Sequence, residues 1–172
     1  MKNLKQFMLF LMIGSLVTLS GCSSSDDGGN GGNATEGTIT AKVDGASFTS
    51  LEIASTATLV SATSTLILQG SDADGKGFLI TINGYAGSGT YNIDGNAIGF
   101  SVAVYLEADV SNPANTQTWL APYNTSVNGT ISVSEETSDN VKGTFEFTGQ
   151  NANDNSQKVI SEGSFNLGKQ TV

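Results

Sequence analysis

The feature that most restricts the fold of this 172-residue chain is an alternation of large apolar side chains with small or polar ones. In residues 97–107 every second side chain is large and apolar: Ile98, Phe100, Val102, Val104 and Leu106. The positions between them are Gly99, Ser101, Ala103, Tyr105 and Glu107. Because successive side chains of a strand point to opposite faces, this segment is predicted to be a β-strand with one apolar face.

Four further segments show the same alternation. Their predicted inward-facing residues are Phe78, Ile80 and Ile82, then Ile131 and Val133, then Phe145 and Phe147, and then Phe165 and Leu167. Clusters of Gly, Asp and Asn of hairpin length separate the strands, at residues 44–47, 71–77, 94–97 and 134–140. Gly-Thr or Gly-Ser pairs that begin at 37, 89, 129, 143 and 163 are interpreted as the points where turns lead into strands.

Short strands joined by polar turns predict an all-β fold. We expect an antiparallel β-sandwich or a flattened β-barrel of about nine to eleven strands, with one face of each sheet solvated. The interpretation of residues 51–70 is open between one bent strand and two. The 136 residues from 37 to 172 suit a single all-β domain.

The first 36 residues differ in composition from the rest. Two lysines precede an apolar run of thirteen residues, 7–19, which is shorter than the ~20 residues that a membrane-spanning helix needs. A charged start, a short apolar middle and small residues behind it are typical of a signal peptide, predicted here to be residues 1–21. Residues 22–36 contain no aliphatic side chain larger than alanine and are predicted to be a flexible Ser/Asp/Gly/Asn linker.

The segment "LSGC" at residues 19–22 holds the only cysteine of the chain and resembles a bacterial lipobox. The resemblance implies that Cys22 becomes the first mature residue and carries a diacylglycerol thioether and an N-acyl chain. Two or more acyl chains anchor a protein stably to a bilayer. Because no second cysteine exists, an intramolecular disulfide at Cys22 is impossible.

The tract "SSSDDGG" after Cys22 resembles the acidic signal of Bacteroidota-type lipoproteins that are sent to the outer face of the outer membrane, although linker composition alone also produces such tracts. Residues 129–167 are similar to the C-terminal hairpins of small, uncharacterised surface lipoproteins of that kind. In those proteins a Gly-Thr-Phe-x-Phe strand is followed, after a polar loop, by a strand that ends in Gly-x-Phe. "ITAKVDGASFTS" at residues 39–50 resembles their first hairpin. The resemblance implies an all-β, lipid-anchored, surface-exposed outer-membrane protein, and it supplies no catalytic residues.

The charge balance excludes several classes of partner. The formal net charge is −9, becoming −11 without Lys2 and Lys5, and the chain contains neither arginine nor histidine. Binding to nucleic acid depends mostly on Lys and Arg at phosphates, and binding to anionic membrane surfaces depends on basic clusters. We therefore expect no nucleic-acid partner, and membrane contact only through the lipid anchor.

Few routes to catalysis are open to this chain. Without histidine, and with Cys22 acylated, neither a catalytic triad nor a thiolate nucleophile is available. A carboxylate pair or a Ser–Lys dyad would be compatible with the composition, but the carboxylates lie mainly in turns. The strand lysines Lys42, Lys142 and Lys158 are predicted to face water. We expect no enzymatic activity and no cofactor.

The acidic turns are weak candidates for metal sites. Asp72 and Asp74 in "SDADGKG" have the alternate spacing of a calcium loop, but Lys76 stands where a third ligand is needed and no glutamate completes the set. A hairpin turn is the favoured interpretation. "SEETSDN", with Glu135, Glu136 and Asp139, is likewise interpreted as a solvated hairpin tip, so no metal site is predicted.

The aromatic candidates for ligand binding lie in "QTWLAPYNTS". Trp119 and Tyr123 would offer flat faces to sugar rings, and Gln117 and Asn124 would supply amides for the hydroxyls. Pro122 favours an edge or loop position. The alternative is that Trp119 plugs one end of the sandwich.

The sequence thus favours a non-catalytic, lipid-anchored binding or adhesion module of the cell envelope, with a glycan or a protein as ligand. One alternative is a structural or accessory component of an outer-membrane assembly. Another is a carrier of a small apolar ligand, which requires an interior that is not filled by the phenylalanines Phe78, Phe100, Phe145, Phe147 and Phe165.

Overall fold

The computed structural model describes residues 34–96, 101–109 and 111–172, and the fold described consists of the elements within those ranges. The predicted signal peptide, Cys22, nearly all of the linker, and residues 97–100 lie outside the described residues. Eleven strands are present: β1 Thr38–Val43, β2 Ala46–Thr49, β3 Ser55–Val60, β4 Thr65–Ser71, β5 Lys76–Asn83, β6 Gly89–Asp94, β7 Val102–Glu107, β8 Gln117–Ala121, β9 Val127–Glu136, β10 Asn140–Gln150 and β11 Gln157–Thr171. Single 3₁₀ turns occur at Glu52–Ala54, Ser61–Thr63 and Pro113–Asn115.

The strands form one sheet in the order β2-β1-β11-β3-β4-β5-β7-β8-β10-β9-β6, and β11 also pairs with β10. That extra pairing closes a ring of strands, so the fold is a flattened barrel. The predicted all-β class and the strand number are confirmed. Within the described ranges, no helix has both the length and the apolar character needed to cross a bilayer.

The flattened barrel has two layers. One layer contains six strands, in the order β2-β1-β11-β10-β9-β6, and the other contains five, in the order β3-β4-β5-β7-β8. The layers are continuous at two corners. At one corner Lys169, Gln170 and Thr171 of β11 pair in parallel with β3, and at the other Leu120 of β8 pairs with Gln150 of β10.

Residues 51–70 contain two strands rather than one bent strand. β3 and β4 pair antiparallel, and Ala57 lies opposite Leu68 on the inner face. Ser64, which has a left-handed backbone (φ 50°), ends the turn between the two strands. Three of the four predicted turns join paired neighbouring strands, but the prediction for residues 94–97 is wrong, because β6 pairs with β9 and not with β7.

Aromatic rings fill the space between the layers. Phe78 of β5 lies at their centre, with its ring centroid 4.9 Å from that of Phe48, 5.3 Å from Phe145 and 6.2 Å from Phe147. Phe165 is also buried, whereas Phe100 lies outside the described residues. An apolar-ligand carrier needs this volume for its cargo, and the rings occupy it.

The strand β7 differs from the alternation seen in the sequence. Its inward-facing residues are Ala103 and Tyr105, while Val102, Val104 and Leu106 face outward and stay partly exposed. Ala103 is paired with Ile80 on one side and with Ala121 on the other, and all three are fully buried. Tyr105 extends to the rim, where its hydroxyl donates to Glu107. Apolar residues therefore occur on both faces of this strand.

Five glycines were predicted to lie where a turn leads into a strand, but three of them lie inside long strands. Gly129, Gly143 and Gly163 lie within β9, β10 and β11, whereas Gly89 begins β6 and Gly37 precedes β1. Each of the three interior glycines is paired in register with a phenylalanine of the neighbouring strand: Gly129 with Phe147, Gly143 with Phe165 and Gly163 with Phe145.

Candidate functional site

The four predicted site residues lie on two different sides of the sheet at β8. Gln117 and Trp119 face the interior of the barrel, because strand geometry alternates them with the outward-facing Thr118 and Leu120. Tyr123 and Asn124 follow the end of the strand, beyond a cis Ala121–Pro122 bond, and they lie on the outer side with Leu120. The structure therefore does not bring Trp119 and Tyr123 together on one surface.

Trp119 packs inside one end of the barrel. Its side chain is 6% exposed, its Nε1 donates to Ser156 Oγ at 3.1 Å, and its ring centroid lies 5.7 Å from that of Tyr105. The Lys158 ammonium lies 4.6 Å from the indole centroid. A ring so enclosed cannot also stack on a sugar, so the geometry gives Trp119 a packing role.

The Lys158 cluster, which we define as Lys158, Tyr105, Glu107 and Asp44, lies beside this indole, against which Lys158 and Tyr105 pack. Lys158 Nζ lies 3.2 Å from Glu107 Oε1 and 3.7 Å from Asp44 Oδ2. Burial raises the pKa of Tyr105, and the hydrogen bond that its hydroxyl donates to Glu107 raises it further. Two strands, β7 and β11, and the turn between β1 and β2 bring these residues together, and no sequence spacing indicated the cluster.

The cluster lines a cavity of about 390 Å³ together with the acidic turn 71–77. In that turn Asp72 Oδ1 accepts hydrogen bonds from the backbone N–H groups of Asp74 (2.9 Å) and Lys76 (2.8 Å), which is the geometry of a hairpin turn. No group of three or more His, Cys, Asp or Glu side chains in the described ranges is arranged to hold a metal ion.

Gln117 supports the end of the barrel next to Trp119. Its Oε1 accepts from Asn151 Nδ2 at 2.9 Å, and its Nε2 donates to the Asn115 carbonyl at 3.0 Å. Asn151 is buried, so both groups of the Gln117 amide hold the fold and are not available to a ligand.

A groove of about 670 Å³ lies on the outer side of β7 and β8, and we call it the outer groove. Its lining is mostly apolar and includes the amide residues Asn124 and Gln150. The residues that line it are Gly95, Val102, Thr118, Leu120, Pro122, Tyr123, Asn124, Thr125, Gln150 and Ala152. Leu120 is 44% exposed on its floor.

Backbone and amide hydrogen bonds fix the loop that carries Tyr123. The Tyr123 N–H donates to Asn128 Oδ1 at 3.1 Å, and Asn124 Oδ1 accepts from the Ser126 N–H and from Asn128 Nδ2. The Tyr123 hydroxyl and the Asn124 Nδ2 group make no hydrogen bond to any described residue. A preformed wall with unused polar groups is the usual arrangement of a small-ligand site.

A buried ion pair lies at a different position, between the end of β9 and β11. Lys169 Nζ lies 2.6 Å from Glu136 Oε1, its side chain is 7% exposed, and the Tyr85 hydroxyl donates to Glu136 Oε2. Burial by itself would raise the pKa of Glu136, but the hydrogen bonds from Lys169 and Tyr85 and the attraction of Lys169 hold it below its ordinary value. Glu136 is thus a structural residue and not part of a solvated tip.

No curated protein and no solved structure matches this chain. A family model described as a domain of unknown function, DUF6252, matches residues 35–167, from just before β1 to well inside β11. The chain therefore belongs to the DUF6252 family.

Proposed function

We propose that this protein is a non-catalytic binding or adhesion module of the cell envelope, anchored through lipid on Cys22 and binding a glycan in the outer groove. The observation that carries the glycan proposal is the pairing, in one groove, of the Tyr123 ring with the unused amide group of Asn124. Apolar ring faces of sugars pack on aromatic side chains, and sugar hydroxyls pair with amides.

The anchor proposal rests on the sequence. The "LSGC" segment, the apolar run before it and the absence of a second cysteine all favour acylation of Cys22, and "SSSDDGG" favours surface exposure on the outer membrane of a Bacteroidota-type cell. A protein held in this way meets polymers of the envelope and of the surroundings, which fits a binding role.

The charges near the outer groove favour an uncharged ligand. No Asp, Glu or Lys lines the groove in the described ranges. Since the chain has no arginine, the bidentate contact that commonly binds carboxylates and phosphates is also missing. A neutral glycan meets these conditions better than an acidic one.

The test is a glycan array probed with the purified full chain, followed by titration of each ligand that binds. Tyr123→Ala is expected to weaken binding at least about tenfold, which corresponds to about 1.4 kcal/mol. Trp119→Phe is the matched control, because Trp119 is buried away from the groove, and we expect it to leave the affinity unchanged.

Two results would overturn the glycan proposal. One is the absence of binding to any neutral glycan on the array. The other is a ligand whose affinity falls with Trp119→Phe and not with Tyr123→Ala, since that ligand would bind at the Lys158 cluster.

A further inference from the structure

The outer groove contains two amide side chains, and each has one end that makes no hydrogen bond within the described ranges. Asn124 Oδ1 accepts from the Ser126 N–H at 2.9 Å, and because a backbone N–H bonds only to the oxygen, the Nδ2 donor is the unused end. Gln150 Nε2 donates to the Asn155 carbonyl at 3.4 Å, so its Oε1 acceptor is the unused end. Backbone groups therefore fix which end of each amide is available to a ligand.

Aliphatic side chains account for much of the remaining lining of the outer groove. Leu120 and Ala152 are exposed, and Val102 and Pro122 are partly exposed. A simple hexose has its apolar surface on the faces of the ring, one of which the proposed complex already places on Tyr123, and its edges carry hydroxyls. Since contact with apolar surface is what aliphatic side chains gain from a ligand, they favour a sugar with an additional apolar substituent.

The absence of charge restricts this substituent further. No charged side chain of the described ranges lines the outer groove, so neither a free amino sugar, which is cationic, nor a uronic acid, which is anionic, meets a counter-charge there. An acetamido group is uncharged and combines a methyl group with one carbonyl acceptor and one N–H donor. A 6-deoxy sugar supplies a methyl group but neither of the two amide atoms.

We propose that the glycan of the outer groove contains N-acetylated amino sugars whose acetamido group is bound by Asn124 and Gln150. This inference rests on the proposed function and names the class of ligand for the same groove. Asn124 Nδ2 donates to the acetamide carbonyl oxygen, Gln150 Oε1 accepts from the acetamide N–H, and the methyl group packs on Leu120. A peptide has the same amide atoms, but it lacks the sugar ring face that packs on Tyr123.

Matched glycans on an array test this proposal with the purified full chain. Each pair shares its linkage and length and differs only at carbon 2, with N-acetylglucosamine compared with glucose and N-acetylgalactosamine compared with galactose. In each pair that binds, the acetylated glycan is expected to bind at least about tenfold more tightly, which corresponds to about 1.4 kcal/mol. Tetra-alanine with blocked ends, an uncharged peptide with methyl groups and amides, is the third probe and is expected not to bind.

Asn124→Asp separates binding of the acetamide from the structural role of this side chain. The variant keeps the oxygen that accepts from the Ser126 N–H and from Asn128 Nδ2, but it replaces the free donor with an acceptor. A sugar hydroxyl can turn and donate to the new oxygen, whereas an acetamide carbonyl cannot donate. The preference for the acetylated glycan is therefore expected to fall at least about fivefold.

Leu120→Ser and Leu79→Ser form a matched pair of variants for the methyl contact. The two leucines lie in one row of the outer surface, in register through Val104, and they are 44% and 40% exposed. Of the two, Leu120 lines the outer groove and Leu79 does not. Leu120→Ser is expected to lower the preference for the acetylated glycan at least about threefold, and Leu79→Ser to leave it unchanged, while circular dichroism verifies that both variants are folded.

The outcomes distinguish this inference from the proposed function. If hexoses bind as tightly as their acetylated counterparts and Tyr123→Ala weakens both, the inference is wrong and the glycan function stands. Binding to the peptide alone, or to no glycan, would overturn both. A preference for acetylated glycans that survives both Asn124→Asp and Leu120→Ser would overturn the inference as well, because the acetamide would then bind outside the outer groove.

Discussion

Phe145 of β10 and Gly163 of β11 lie directly opposite each other, and the phenyl ring occupies the space that a Cβ at residue 163 would need. A Cβ built there would lie 2.3 Å from the Phe145 carbonyl oxygen and 2.7 Å from its Cδ2 atom. Gly143 stands in the same relation to Phe165, with a Cβ 2.4 Å from the ring Cζ. The bare backbone of each glycine thus provides the surface on which a core ring packs.

Replacing these glycines with alanine is expected to destabilise the fold. Gly163→Ala should lower the free energy of unfolding by about 1–3 kcal/mol, because the new methyl group forces Phe145 out of place. Gly168→Ala in the same strand is the control, since nothing lies within 4 Å of a Cβ at that residue. Urea unfolding checks the prediction, and equal stability losses in the two variants would contradict it.

The buried ion pair should respond strongly to loss of its acid. Glu136→Gln leaves the Lys169 ammonium buried without a counter-charge, and we expect the free energy of unfolding to fall by about 3 kcal/mol at pH 7. Glu135→Gln is the adjacent control, because its partner Lys142 is 3.5 Å away and both side chains are exposed, so a loss below about 1 kcal/mol is expected. The result would contradict this account if Glu135→Gln were the more damaging change.

The same ion pair predicts that the free energy of unfolding depends on pH. The pKa of Glu136 lies below its ordinary value of 4.5 in the folded chain, so the unfolded chain binds the proton more readily. The stabilisation is therefore complete above pH 4.5 and is lost as pH falls through the lowered pKa. Chemical denaturation from pH 7 to pH 3 should show that the stability difference between the wild type and Glu136→Gln shrinks in this window. A difference that stays constant would argue against it.

Trp119 is a fluorescence probe of the Lys158 cluster because it is the only tryptophan of the chain. Its fluorescence should resist quenching by acrylamide until the protein unfolds, since the side chain is 6% exposed. Lys158→Met removes the ammonium above the ring and should lower the free energy of unfolding by about 1 kcal/mol. Lys42→Met, which removes one exposed pair, is expected to cost less than about 0.5 kcal/mol. The reverse order of the two losses would disprove the packing role of Lys158.

The proposed anchor makes a separate prediction. Cys22→Ser removes the sulfur that would carry the lipid, so the chain should move from the membrane fraction to the soluble fraction on cell fractionation. Mass spectrometry of the native protein should find acyl chains on Cys22. An unmodified thiol on a membrane-associated protein would contradict the proposal.

The fold could be predicted from the sequence because apolar and polar residues alternate in strands that bury one face. Phe145, Phe147, Ile80 and Ile131 face inward as their pattern predicts. The pattern was misleading for β7 because apolar side chains occur on both faces of this strand. Periodicity alone does not show which of two such faces is buried. The prediction for the interior glycines was wrong for a related reason. In the sequence, a glycine on which a phenyl ring packs cannot be distinguished from a glycine that leads from a turn into a strand.

Only part of the candidate site could be predicted from the sequence. Tyr123 and Asn124 do lie in a groove, but Trp119 and Gln117, a few residues before them, face the opposite way, since one step along a strand reverses the side chain. The Lys158 cluster joins residues as distant as Asp44 and Lys158, and only the pairing of β1 with β11 explains why they meet.

The strand β11 ties three parts of the protein together, since it pairs with β1, β10 and β3. Residues 44–156 separate β1 from β11 along the chain, so β1 can pair with β2 early but meets β11 only when almost the whole domain has been synthesised. Early hairpins can form and dissolve meanwhile, but the barrel cannot close. We therefore expect the closed barrel, and with it resistance to proteases, to form in one late step, because contacts between residues far apart in the sequence form slowly.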